Sequence, residues 1–227
     1  MVTTLAQPVA QEIAGLEPES LARVYVIDDE IQVLEIVEIQ LKAAGFDVLT
    51  FSSPELFLQQ LPGLAPGVVL SDQRMPCIDG LEVQRRLRQR PNDFKLILLS
   101  GFPETRVVVE AMRQGAVNVL DKPYEKEEML MSLRTAFSAL RRSMVEDTRL
   151  PERLPDGRLY LETLSQRERG VIDLIYRGET NKSIGITLGI SVKTVEKHRG
   201  KAMRKMQASC LADLIRLIDR ELPEMDR

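Results

Sequence analysis

A chain of 227 residues, 44% apolar and 29% charged, has room for two modest hydrophobic cores and lies far from the composition of a disordered or fibrous protein. It holds no run of about 18 apolar residues, so a membrane partner is not expected. It has only two cysteines, Cys77 and Cys210, without metal-ligand spacing, which suits a reducing cytoplasm. The net charge of −3 conceals an asymmetry: Leu164 to Arg227 carries 13 Lys and Arg against 9 Asp and Glu, leaving −7 on the preceding 163 residues. An acidic front and a basic rear indicate two modules with different partners.

Residues 1–21 include Glu12, Glu17 and Glu19 but no Lys or Arg, unlike a signal peptide. They read as a flexible acidic arm. From 22 to 142, strand-length apolar runs alternate with amphipathic stretches. The runs are VYVI (24–27), DVLTF (47–51), GVVLS (67–71), KLILLS (95–100) and AVNVL (116–120). Between them the helical period recurs over Ile31–Ala44, Pro54–Leu61, Leu81–Arg90, Glu104–Gln114 and Glu125–Arg141. Gly45 and Gly115 are helix stops, and Pro54 suits a first helical turn. Five strands, each followed by a helix, predict an α/β doubly wound fold with a parallel five-stranded sheet. Residues 143–163, with two prolines and an Asp-Gly pair, read as a linker. From Leu164 to Arg227 the pattern is wholly helical and predicts a small all-α domain.

In an open α/β sheet, ligands collect beyond the carboxyl ends of the strands. Asp28 and Asp29 follow the first run, Asp72 the third and Ser100 the fourth, while Lys122 and Pro123 lie just past the fifth. Three carboxylates make a hard oxygen cage suited to Mg²⁺, and a lysine supplies a compact cation beside it. A carboxylate can itself act as nucleophile and become an aspartyl-phosphate. Asp79, just before Gly80 and the LEVQRRL helix, is instead a helix cap. Cys77 reads as a small neutral loop residue.

These five positions, in this order, with Met75-Pro76 three residues after Asp72 and the Asp-Lys-Pro triplet 121–123, resemble the receiver domain of two-component response regulators over about 120 residues. The resemblance implies that Asp72 is the phosphoacceptor for a sensor histidine kinase. Asp29, Asp72 and the backbone carbonyl of Arg74 would ligate Mg²⁺, with Asp28 acting largely through water. Lys122 would meet a phosphoryl oxygen next to a cis Lys-Pro bond, and Ser100 would be the switch hydroxyl. Receivers usually carry an aromatic three residues before that lysine. Val119 stands there, so activation is expected to travel by a small backbone shift through the 104–114 helix, the fifth strand and the last helix.

The rear module has a second grammar. Ser165 and Glu168 form a capping box for a helix burying Val171, Leu174 and Ile175, which Gly178 ends. Asn181–Leu188 is a short helix and Gly189-Ile190-Ser191 a tight turn. Ser191 then caps a helix over Val192–Met206, with Val195, Ala202, Met203 and Met206 inward. Lys182 to Lys205 holds seven basic residues and one acidic one, Glu196. A short helix, a turn and a basic helix form a helix-turn-helix, whose last helix enters the major groove of double-stranded DNA. The segments LSQRE, GETNKSI, LGISVKTVEKHR and KM resemble LuxR-type DNA-binding domains over about 55 residues. That resemblance implies DNA contacts from Lys193, Thr194, Glu196, Lys197, His198 and Arg199, with Lys201 on the same polar surface and Asn181-Lys182 near a phosphate. Gly185 and Gly200 stand where larger residues are usual, each costing up to about 1 kcal/mol relative to Ala. The final helix places Leu211, Leu214, Ile215 and Ile218 at helical spacing, for a dimer contact or for the core of the helical bundle.

Together these resemblances imply a response regulator of the NarL/FixJ type, in which phosphorylation drives homodimer formation and DNA binding. It would catalyse phosphoryl transfer to and from its own aspartate only. An aspartate-nucleophile phosphatase would place its nucleophile after the first strand in a D-x-D pattern, absent here. A phosphorylation-independent dimerisation module is the alternative that Val119 raises.

Overall fold

The computed structural model describes residues 23–90, 92–101, 104–145, 161, 163–208 and 210–221. The expected arm at 1–21 lies outside them, as does the greater part of the expected linker.

The α/β unit is built on β1 (Arg23–Ile27), β2 (Asp47–Phe51), β3 (Gly67–Asp72), β4 (Phe94–Ser100) and β5 (Asn118–Asp121). They form one parallel sheet in the order β2-β1-β3-β4-β5. The burial of each strand follows its place in that order. Central β3 is buried at every residue, as a strand covered on both faces must be. Edge strand β2 exposes Asp47 and Leu49 but buries Val48 and Phe51. After β2 the chain returns past β1 to start β3 on its other side. The carboxyl ends of β1 and β3 therefore flank the crevice where such sheets bind ligands.

The intervening helices are α1 (Ile31–Ala43), α2 (Pro54–Gln60), α3 (Gly80–Leu87), α4 (Thr105–Arg113) and α5 (Lys126–Val145), with a 3₁₀ turn at Leu61–Gly63. Gly45 and Gly115 follow α1 and α4 with φ of 91° and 92°, the left-handed geometry of a helix stop. Helix α3 ends before the expected Arg90, because Arg90 turns back. Its guanidinium donates to the Leu61 carbonyl and to Asp93 Oδ2, each at 2.7 Å. Helix α5 continues past the expected Arg141 to Val145, so 143–145, expected in the linker, are helical. On one face of the sheet, Leu34, Val37 and Leu41 of α1 and Leu133 and Phe137 of α5 pack with Val26, Leu70 and Leu99. On the other, the buried Tyr25 ring lies about 6 Å from Phe51, Phe57 and Phe94, and its hydroxyl donates to the Ala65 carbonyl at 2.7 Å.

The helical unit comprises α6 (Gln166–Tyr176), α7 (Asn181–Leu188), α8 (Val192–Lys205) and α9 (Leu211–Glu221). The Ser165–Glu168 capping box is complete. Thr180, unmarked by the sequence reading, caps α7 by accepting from the Ser183 N–H at 3.2 Å. Gly189 ends α7 in the left-handed region at φ 66°, and Ser191 caps α8. Helix α6 buries Val171, Ile172 and Ile175, whereas Leu174 is half-buried. The inward face is therefore 168-171-172-175, which carries Glu168 inward with it. Val195, Ala202 and Met206 are buried as expected, while Met203 sits at the margin. Leu214, Ile215 and Ile218 of α9 are buried, and Leu211 partly so.

Gly185 answers differently from its helix propensity. A Cβ there would lie 2.8 Å from the Ile190 carbonyl oxygen, while the Ile190 N–H donates to the Gly185 carbonyl at 2.9 Å. The turn closes against bare backbone. Gly185→Ala is therefore expected to destabilise the helical unit by about 1–3 kcal/mol, as overpacking does, rather than return the propensity gain of alanine. A denaturant midpoint equal to or above that of the parent chain would contradict this.

Candidate functional site

Strand ends bring together side chains far apart in the chain. Asp28 follows the last residue of β1, its N–H donating to the Phe51 carbonyl at 3.2 Å, and is only 1% exposed. Asp72 closes β3, beside Leu99 of β4. Between these two carboxylates lies the Lys122 ammonium, 2.7 Å from Asp28 Oδ2 and 2.6 Å from Asp72 Oδ1. The other oxygen of each carboxylate accepts from backbone: Asp28 Oδ1 from the Glu30 N–H at 2.9 Å, and Asp72 Oδ2 from the Arg74 N–H at 2.6 Å. Burial pulls Lys122 toward the neutral amine, but its hydrogen bonds to Asp28 and Asp72 and their charges prevail and lift its pKa above the ordinary lysine value. It is therefore a fixed cation.

Ser100, at the end of β4, is buried, and its carbonyl accepts from the Lys122 N–H at 2.8 Å. The Lys122-Pro123 bond is cis. Val119 is buried in β5 beside Leu98. Asp29 is exposed at the rim, and Cys77 is exposed in the β3–α3 loop. Among the described residues, no three carboxylate, histidine or cysteine side chains form a metal cage by themselves. The donor set nonetheless fits a hard divalent cation. Asp28 and Asp72 share one ammonium, so the buried group keeps a net negative charge, with Asp29 adding another at its edge.

Asp79 caps α3, its Oδ1 accepting from the Glu82 N–H at 2.8 Å, and does not join the carboxylate group. Gly80 escaped the sequence reading. A Cβ there would stand 2.6 Å from the Asp72 carbonyl oxygen and 2.5 Å from Leu98 Cδ1. Glycine thus lets the start of α3 lie against the strand end that carries Asp72. The Asp79-Gly80 pair signals a turn, but no local signal reveals that close approach.

In the helical unit, Lys182, Lys193, Glu196, Lys197 and Lys201 are exposed, while Asn181, Thr194, His198 and Arg199 are half-buried. Thr194 Oγ1 lies 2.8 Å from Ser191 Oγ, which ties it to the cap. The His198 Nδ1 is enclosed without a hydrogen-bond partner among the described residues, so that side of its ring faces inward. Lys205 belongs elsewhere. Its ammonium donates to Glu168 Oε2 at 2.7 Å and to the Thr163 carbonyl at 3.0 Å, linking the end of α8 to the start of α6.

Lys205, aided by the Ser165 N–H, holds the Glu168 carboxyl down from 4.5 to about 2. A depressed carboxyl adds stability above its unfolded value and loses it as protons bind. The contribution is thus whole above pH 4.5 and fades toward about pH 2. Glu168→Gln is expected to cost about 1–2 kcal/mol at pH 7 and to flatten the acid decline of stability over that window. Circular dichroism melts between pH 2 and pH 7 would show it, and parallel declines in parent and variant would refute it.

Residues 24–134 match the model of the response regulator receiver domain, and residues 162–218 that of the bacterial regulatory proteins of the luxR family. The transcriptional regulatory protein FixJ of Bradyrhizobium diazoefficiens is 36% identical over 194 residues, 86% of this chain and 93% of its own length. The response regulator protein TodT of Pseudomonas putida is 35% identical over 197 residues, covering 87% of this chain and 85% of its own. Among solved structures, full-length FixJ from B. japonicum gives a TM-score of 0.50 at 34% identity, spanning 89% of this chain and 98% of that one. The response regulator StyR gives 0.50 at 31%, with 87% and 98% covered.

The chain is a two-component response regulator, with a flavodoxin-like receiver ahead of a LuxR-type helix-turn-helix domain. Within that class it belongs with the FixJ-type transcriptional regulators. Among the described residues, no helix is long and apolar enough to cross a membrane.

Proposed function

We propose that Asp72 accepts a phosphoryl group from a sensor histidine kinase and that this modification controls dimerisation and sequence-specific DNA binding. The modules are a receiver over 22–142 and a DNA-binding domain over 164–227, joined through 143–163. One observation carries the reading: the Lys122 ammonium lies 2.6 Å from the Asp72 carboxylate, where it can neutralise charge arriving on that oxygen.

An Asp72 carboxylate oxygen attacks phosphorus, the P–N bond to the kinase imidazole breaks, and the departing nitrogen takes up a proton. Lys122 turns from Asp72 toward a phosphoryl oxygen while keeping Asp28. The buried Ser100 hydroxyl then reorients toward the modified carboxylate. Asp28, Asp29, Asp72 and the Arg74 carbonyl would hold Mg²⁺, which when bound supplies charge neutralisation for the transferring group. The chain acts on its own aspartate and releases no other product. Lys193, Thr194, Glu196, Lys197, His198, Arg199 and Lys201, with Asn181 and Lys182, form the DNA face.

Incubation with acetyl phosphate and Mg²⁺ should add one phosphoryl group to the intact mass. Fluoroberyllate should raise both the dimer fraction and the affinity for DNA. An unchanged mass, together with unchanged DNA affinity under fluoroberyllate, would refute the mechanism.

A further inference from the structure

A buried polar group left without a partner costs more than its hydrogen bond would return, so native chains rarely keep one. Gln73, the residue after Asp72, is only 7% exposed, and its Oε1 has no hydrogen-bond partner among the described residues. Its backbone is engaged on both sides. The N–H donates to the Leu99 carbonyl at 2.8 Å, and the carbonyl accepts from the Gly80 N–H at 3.1 Å. An unpaired acceptor is thus held on a fixed piece of backbone next to Asp72.

The ladder between β3 and β4 sets what stands opposite. The Gly67 N–H donates to the Asp93 carbonyl where Gly67 pairs with Phe94, and six residues on the Gln73 N–H donates to the Leu99 carbonyl. The register therefore runs one step beyond the Asp72–Leu99 pair and places Gln73 opposite Ser100. Opposed residues of a sheet point to the same face, and Ser100 is buried as well. A serine hydroxyl has one proton to donate and two lone pairs to satisfy. Once that proton goes to a phosphoryl oxygen, only a donor can complete the group. The Gln73 amide carries one, because a half-turn of its terminal torsion exchanges Oε1 for Nε2. Two hydrogen bonds in series, amide to hydroxyl and hydroxyl to phosphoryl, strengthen one another in a dry site.

We propose that Gln73 is a positioning residue for the Ser100 hydroxyl. In the phosphorylated receiver its amide donates to Ser100 Oγ and holds the hydroxyl proton on the phosphoryl oxygen. In the resting receiver the same amide keeps an unpaired oxygen, which biases the equilibrium toward the switched state. This rests on the reading of Asp72 as phosphoacceptor.

The test titrates the full chain with fluoroberyllate in the presence of Mg²⁺ and follows the rise in thermal midpoint. Gln73→Met, similar in length and apolar, should raise the midpoint without fluoroberyllate, because the buried unpaired acceptor is gone. It should also need about fivefold more fluoroberyllate to reach half of the rise, the effect of one lost hydrogen bond. Placed on Ser100→Ala, the substitution should move that concentration by less than about twofold, because the bond it removes is already absent. Gln73→Leu should reproduce the pattern. The proposal is overturned if both variants titrate like the parent chain, if the penalty is as large on Ser100→Ala, or if both lower the midpoint without fluoroberyllate. Should fluoroberyllate leave the parent midpoint unchanged and acetyl phosphate add no mass, the reading of Asp72 fails and carries this one with it.

Discussion

Asp72→Asn is expected to abolish phosphoryl uptake while leaving the receiver folded. Asparagine has the same shape, so β3 and the hydrogen bond from the Arg74 N–H can persist. Its amide oxygen is a poor nucleophile, and the negative charge facing Lys122 is gone. Lys122 keeps its bond to Asp28 at 2.7 Å, so no buried cation is stranded. Intact mass after acetyl phosphate should therefore stay at the unmodified value, with a thermal midpoint near that of the parent chain. Asp79→Asn is the matched control: asparagine caps helices about as well as aspartate, and the Asp79 side chain accepts from the Glu82 N–H at the start of α3. That variant should take up phosphoryl normally. Modification of Asp72→Asn at the parent level would place the nucleophile elsewhere.

The second large effect is expected on DNA. Replacing Lys193, Lys197 and Lys201 together by alanine removes three exposed charges and improves helix propensity, so α8 should remain formed. If each lysine neutralises one phosphate, the slope of log affinity against log salt should fall by about 2.7, and affinity near physiological salt by more than about a hundredfold. Lys205 is left out deliberately. It is bound to Glu168 and Thr163, so its removal would confound lost DNA contact with lost stability. A triple variant with the parent salt slope would place the phosphate contacts elsewhere on the unit.

Features carried by a few neighbouring residues were legible without coordinates. The limits of α7 and of β2 match their sequence reading, because glycine stops and hydrophobic period act within a turn or two. Asp79 could be told from Asp72 by its neighbours: a glycine and an amphipathic stretch come directly after Asp79, whereas Asp72 ends an apolar run. The inward face of α6 was less legible: Leu174 and Ile172 suit an apolar stripe equally, and the partners of α6 decide between them. The end of α3 was not legible either, because Arg90 bonds to the distant Leu61 carbonyl rather than continuing the helix.

The sequence alone determined that an acidic α/β module with carboxylates at its strand ends precedes a basic helix-turn-helix module. Those properties are local in the chain or summed over it. Tertiary structure decided which charges meet. Lys122 reaches Asp28 across 94 residues of chain, and Lys205 reaches Glu168 across 37, because the order β2-β1-β3-β4-β5 and the crossing of α6 with α8 set those distances. It also separated Gly185 from Gly200, which read alike in the sequence, and gave Gly80 a role the sequence did not show. The turn that follows α7 presses on the Cβ position of Gly185, the end of β3 and Leu98 of β4 press on that of Gly80, and that of Gly200 is left open.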